Sequence, residues 1–178
     1  MSAEFDEALR FVLGVEGGYS EDPEPTNKGI IQFEYTLWLA ENKRAPRSVR
    51  EIAVDEAKAI YKKNYWDAGR CGELPGVLGL VHFDGCVNIG VHRATILLQR
   101  VVDAKPDGVC GPRTLAAVNG RIAENGMLDL LEVLIERRVA FYRALALARE
   151  DKAQYLEGWL NRLASLKVEV AMQEGACA

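Results

Sequence analysis

Residues 3–18 read AEFDEALRFVLGVEGG, and the spacing inside this stretch sets both the class of fold and the first functional expectation. Phe5, Ala8, Leu9, Val12 and Leu13 recur at helical intervals and form one apolar stripe, which predicts a helix over residues 3–15. Ser2 or the chain start caps it. Gly17-Gly18 ends it, because glycine readily takes the left-handed conformation that closes helices. Glu16 follows Phe5, Leu9, Val12 and Leu13 by 11, 7, 4 and 3 residues. At about 100° per residue these offsets return to one face. A carboxyl group therefore stands where the pattern asks for an apolar side chain. Two readings of it stay open. In one, the acid is partly desolvated at the negative end of a helix dipole; both effects favour the protonated form that a general acid needs. In the other, it turns out to solvent at a frayed helix end. Gly17 and Gly18, lacking β-carbons, would let a ligand chain pass close to the backbone.

Outward from this stretch the helical period dominates. Residues 20–29 are turn-rich and predict a loop or short hairpin, and a helix is expected from about Gln32. Ser48 with Glu51 fits a capping box for a short helix near 48–53. A firmer helix is expected at 55–65, with Ala57, Ile60, Tyr61, Asn64 and Tyr65 on one face, then a loop at 69–76. Helices follow at 77–90, with Leu78, Val81, His82 and Cys86 in line, and at 92–102. The turn DAKPDGVCGP at 103–112 leads to a short helix at 112–119. The longest helix is expected over 127–149, with Leu128, Leu131, Leu134, Ile135, Phe141, Tyr142 and Leu145 inward. The last spans 153–172, with Leu156, Trp159, Leu160 and Leu163 inward, and the final six residues fray. The expected class is mainly α, with one small β-hairpin near residues 19–31.

Composition narrows the function. The 178 residues are 49% hydrophobic and 27% charged, an ordinary globular balance. No apolar run approaches the roughly 20 residues that span a bilayer. Net charge is −4, with 15 Asp and Glu against 10 Lys and Arg in residues 1–89. No basic stripe suggests nucleic-acid binding. Contact with any anionic polymer must then come from a groove, not from bulk attraction. The first fifteen residues lack the basic start and apolar stretch of a signal peptide. The expectation is synthesis in the cytoplasm, action outside it only after release or non-standard export, and a monomer. Four cysteines, Cys71, Cys86, Cys110 and Cys177, form no C-x-x-C pair, and there are two histidines, His82 and His92. The spacing predicts free thiols and no metal site. Cys86 does fall four residues after His82 on the same predicted helix.

Several short motifs are best understood together. Glu16-Gly17-Gly18-Tyr19, Asp22-Pro23 and Thr26-Asn27-Lys28-Gly29-Ile30 resemble the start of glycoside hydrolase family 108, bacterial and phage muramidases. Tyr61-Lys62-Lys63-Asn64-Tyr65-Trp66 is similar to the family's Y-x-x-x-Y-W stretch. Phe83-Asp84, Val87-Asn88 and Gly90 resemble its F-D-x-x-V-N-x-G helix. Asp107-Gly108, Gly111-Pro112 and Thr114 resemble the turn of its C-terminal peptidoglycan-binding segment, and Gly158-Trp159-Leu160-Asn161-Arg162 its closing G-W-x-N-R. The motifs run in family order over about residues 10–165.

The resemblance implies a lysozyme-like helical fold. Residues 1–90 would form a catalytic lobe and 91–178 a helical lobe with the peptidoglycan-binding segment, in one compact unit. It implies hydrolysis of the β-1,4 bond between N-acetylmuramic acid and N-acetylglucosamine, Glu16 as the acid, peptidoglycan glycan strands as partner, and no cofactor or metal. Gly17, Gly18, Tyr19, Thr26, Asn27, Trp66 and Asn88 would contact the sugar. The second carboxylate is Asp22 first and Glu24 second, and either also suits a plain turn. Here the sequence departs from the family: the loop before Thr26 is shorter, and the family's G-I-T reads Gly29-Ile30-Ile31. The alternative reading is a binding module that has lost catalysis; a weaker one is a phage structural or regulatory protein.

Overall fold

Nine consecutive residues, Leu78 to Cys86, are buried in helix α4, Leu78–Ile89. A helix with the sequence LGLVHFDGCVNI has no polar face to give to water, so the rest of the chain must enclose it. The computed structural model describes residues 2–15, 19–21 and 24–176. In it α4 is wrapped by α1 (Ala3–Val15), α5 (Val91–Val101) and α7 (Met127–Ala148). A π-helical segment, Lys62–Asp67, and a 3-10 turn, Cys71–Glu73, close the remaining side. α1 supplies Phe5, Ala8, Leu9 and Val12 to the core, as its stripe predicts.

The chain is mainly α, with one two-stranded antiparallel sheet among the described residues. β1, Thr26–Asn27, pairs with β2, Ile30–Ile31. Lys28 and Gly29 between them both have positive φ, 51° and 72°, the pattern of a tight hairpin turn. The hairpin falls inside the expected 19–31 window. α2, Gln32–Glu41, follows directly, then a 3-10 turn, Val49–Glu51, and α3, Val54–Tyr61.

Several boundaries differ from the sequence expectation. The Ser48 hydroxyl accepts from the Arg50 amide at 3.2 Å, yet the expected Ser48–Glu51 box is replaced one turn on. There Glu56 accepts the Ala53 amide at 3.0 Å and caps α3. α6, Pro112–Asn125, runs well past 119. Gly120 faces open space and is tolerated, Ile122 packs half-buried on the core, and the stop comes at Gly126 with φ +88°. In α7, Leu128 is 63% exposed and not inward; the buried face begins at Leu130 and Leu131. A short α8, Glu150–Ala153, precedes α9, Leu156–Ala176, which carries helix through residues expected to fray. α9 buries Leu163, Leu166 and Val170.

Glu56 ties the hairpin region to α3. Its carboxylate accepts from the Tyr35 hydroxyl at 2.8 Å, Arg44 at 2.7 Å and Arg47, besides the Ala53 amide. Burial alone would raise this carboxyl, but the Ala53 amide, Tyr35 and the two guanidiniums outweigh it and hold the pKa below the ordinary 4.5. A lowered folded pKa stabilises above the unfolded value and loses that contribution as pH falls through the folded value. Glu56→Gln is therefore expected to cost about 1–3 kcal/mol near neutral pH. The difference from wild type should shrink as pH falls below the ordinary 4.5, as measured by thermal melts. A constant difference across that range contradicts the linkage.

Candidate active site

α1 ends at Val15, and Tyr19 is the next described residue. The expected site residues Glu16, Gly17, Gly18, Asp22 and Pro23 lie outside the described residues. What is described is the chain that flanks them in sequence. The Tyr19 hydroxyl donates to Glu21 at 3.0 Å, and the Arg50 guanidinium lies 4.9 Å from the centre of its ring. Ser20 and Thr26 exchange backbone hydrogen bonds at 2.9 and 2.8 Å, so the loop between them is closed at its base. Thr26 donates its hydroxyl to the Glu24 carbonyl at 2.9 Å, and the Glu24 side chain is exposed. The hairpin is held from behind by the segment around the 49–51 turn. Gln32 accepts the Val49 amide at 2.7 Å, Lys28 donates to the Ile52 carbonyl at 3.3 Å, and Tyr61 donates to the Lys28 carbonyl at 2.9 Å.

Two expected sugar contacts are corrected. Asn27 is 8% exposed, and its amide nitrogen donates to the Val49 and Arg50 carbonyls at 3.2 and 3.1 Å. It is an anchor of the hairpin, because a buried amide must satisfy its own donors first. Trp66 is 5% exposed, with its ring 5.4 Å edge-to-face from both Phe5 and Phe83. Gly72 and Gly79 press against the indole, whose remaining surface borders a hollow of about 560 Å³ that Glu4, Glu7, Arg10 and Glu169 also line. The wide π-helical turn shifts the register of the helix here and sends Trp66 into the core. The same turn brings Asn64 and Tyr65 to α2. Glu34 Oε1 accepts from the Asn64 amide at 2.7 Å and from the Tyr65 hydroxyl at 3.4 Å, a partly buried polar cluster. Glu34 was not singled out from the sequence, where it reads as an ordinary first-turn acid.

Asn88 is half-buried and belongs to a chain of polar side chains. Arg162 Nε donates to Asp84 Oδ1 at 2.7 Å, and Arg138 donates to Asp84 Oδ2 at 2.6 Å and to the Tyr142 hydroxyl at 3.2 Å. Tyr142 in turn donates to Asn88 Oδ1. Asp84 and Asn88 share a helix face as the spacing predicts, but they are linked through Arg138 and Tyr142. Arg162, from α9, thus reaches a carboxylate on α4. Arg138 opposes its own burial: desolvation lowers its pKa, but the Asp84 charge and Tyr142 prevail and raise it. Trp159 stacks 5.1 Å from Tyr142 and covers the network.

A second hollow, of about 560 Å³, lies over the 103–114 turn and is lined by Gln99, Asp103, Lys105, Asp107, Arg113 and Thr114. Gln99 organises it. Its amide nitrogen faces Asp107 Oδ1, the Val109 carbonyl and Thr114 Oγ1 at 2.8 to 3.1 Å, and its oxygen accepts the Gly108 amide at 2.9 Å. The Gln99 hydrogen bond and the Val109 amide lower the Asp107 pKa. Gly108 has φ +75°, and a β-carbon there would meet the His92 ring at 2.3 Å, so only glycine fits. Gln99 was missed in the sequence. The signal was an amide buried to 1% exposure beside the apolar Leu97, Leu98 and Val101.

The cysteines hold a surprise for spacing arguments. Cys71, Cys86 and Cys110 are free and buried, as the sequence predicts. Yet Cys71, His82 and Cys86 offer ligand atoms that all lie within 4.8 Å of one another. Burial raises the Cys71 thiol, while the Cys71 hydrogen bond and His82 lower Cys86. Linear spacing missed this because Cys71 arrives from a different element.

Comparison with known proteins adds the family context. Residues 9–90 match the family model Glycosyl hydrolase 108, and residues 93–164 match Predicted Peptidoglycan domain. The solved structure of Brucella abortus SagA is similar, with TM-score 0.77 and 28% identity over 95% of this chain and 94% of that one. No curated protein matches.

Proposed function

We propose, from the match of residues 9–90 to the glycosyl hydrolase 108 model and of residues 93–164 to the peptidoglycan domain, that the chain is a peptidoglycan glycosidase that hydrolyses the β-1,4 bond between N-acetylmuramic acid and N-acetylglucosamine. Glu16 donates its proton to the leaving glycosidic oxygen. Asp22, with Glu24 as the alternative, stabilises the oxocarbenium-like transition state or activates water. The observation that carries the reading is the α1 face. Phe5, Leu9 and Val12 on it are 0, 5 and 0% exposed, and the helical offset assigns Glu16 to that same face.

The braced hairpin and the Tyr19–Arg50 pair supply one wall of the proposed groove, and the Glu34–Asn64–Tyr65 cluster is a further polar surface near it in the chain's α2 region. The hollow at Gln99, Asp107 and Thr114 is proposed as the second contact with wall strands. Clearing of purified peptidoglycan, with analysis of the released ends, tests the reaction. New reducing N-acetylmuramic ends are expected. Anhydro-muramic ends would reassign the chemistry to transglycosylation, and sedimentation with walls without any released ends would reassign the chain to a binding module.

A further inference from the structure

Cys71, His82 and Cys86 come from two elements and meet inside the molecule. Cys71 opens the 3-10 turn Cys71–Glu73; His82 and Cys86 stand one turn apart on α4, so one helix face presents both. The two sulfurs and a ring nitrogen lie within 4.8 Å of one another. The three residues are 1, 2 and 0% exposed. His82 Nε2 is buried with no hydrogen-bond partner, an arrangement that needs a reason. From this juxtaposition we propose that the chain binds one zinc-like divalent cation through Cys71 Sγ, Cys86 Sγ and the His82 imidazole.

Thiolate and imidazole are the donors that zinc takes. Bond lengths of about 2.3 Å to sulfur and 2.0–2.1 Å to nitrogen set tetrahedral donors roughly 3.5–3.8 Å apart. The present separations reach that by small side-chain rotations. Two thiolates balance the charge of the ion, so the filled site buries no net charge. A Cys71–Cys86 disulfide would use the sulfurs and leave the imidazole idle. Gly69 closes over the cluster: a β-carbon there would come within 2.7 Å of Cys86 Sγ and 3.0 Å of Cys71 Sγ. The ion would staple the 71–73 turn to α4, and the site stands independently of the proposed glycosidase reaction.

The test uses the full chain with Cys177→Ser, purified under reductant from zinc-supplemented cells. About one zinc per chain is expected by elemental analysis. Because the site is closed, cobalt is introduced during refolding, and tetrahedral d–d bands with a thiolate charge-transfer band are expected. Metal in about thousandfold excess over its dissociation constant should raise the melting temperature by about 10 °C. Cys86→Ser and His82→Asn should lose the metal. Metal-free protein that refolds by circular dichroism yet shows no cobalt bands overturns the proposal. So do bands that persist in both Cys71→Ser and Cys86→Ser.

Discussion

Glu16→Gln is expected to keep the thermal transition of the wild type and to slow the clearing of purified peptidoglycan by ~10³-fold or more. Glutamine matches the shape and the hydrogen-bonding reach of the acid but has no proton to give. The α1 stripe that holds the helix, Phe5, Ala8, Leu9 and Val12, is untouched by the change. Sedimentation with walls should therefore survive while product release is lost. The wild-type rate should fall on the alkaline side as the acid loses its proton, and that limb should vanish in the variant. Asp22→Asn is expected to be nearly as damaging. Glu24→Gln should be mild, since the Glu24 side chain is exposed and its carbonyl, not its carboxylate, holds Thr26. A Glu16→Gln protein that clears walls at the wild-type rate sinks the assignment of the acid.

The largest stability effect should come from Asp84→Asn. The Asp84 side chain is 0% exposed, and it is paired with Arg138 at 2% and Arg162 at 10%. Removing its charge leaves buried guanidinium groups without their counter-ion, which costs about 3–5 kcal/mol. For a chain of this size that corresponds to a melting temperature lower by about 10 °C or more. The surface pair Arg149–Asp151, at 60 and 56% exposure, is the contrast. Asp151→Asn should change stability by less than about 1 kcal/mol. Denaturant midpoints for the two variants give the comparison, and equal effects contradict it. The loss at Asp84 also has a longer reach. Asp84 lies in the segment matched by the hydrolase model, while Arg138 and Arg162 lie in the peptidoglycan segment, so this network fastens one to the other.

Periodicity exposes what repeats along the chain. The helical class, the α1 stripe and a small hairpin within residues 19–31 were all legible, because each depends on residues a few positions apart. Helix ends were less so: Gly120 looked like a stop, but an exposed glycine inside a helix costs only about 1 kcal/mol, and packing of Ile122 carries α6 on to Gly126. Trp66 read as a groove residue because the expected helix stopped at 65, whereas a π turn continues through Asp67 and buries the ring.

From the sequence alone came the mainly α class, the hairpin, and the acid at the end of the first helix, since short-range spacing and turn chemistry carry that information. Tertiary structure alone decided which polar residues are partners: Glu56 with Arg44 and Arg47, Gln99 with Thr114, Arg162 with Asp84 across 78 positions, and Cys71 with His82 and Cys86. The reason is physical. A buried donor, acceptor or charge must find its complement wherever the fold brings one within bonding distance, and that distance in space has no counterpart in the order of residues.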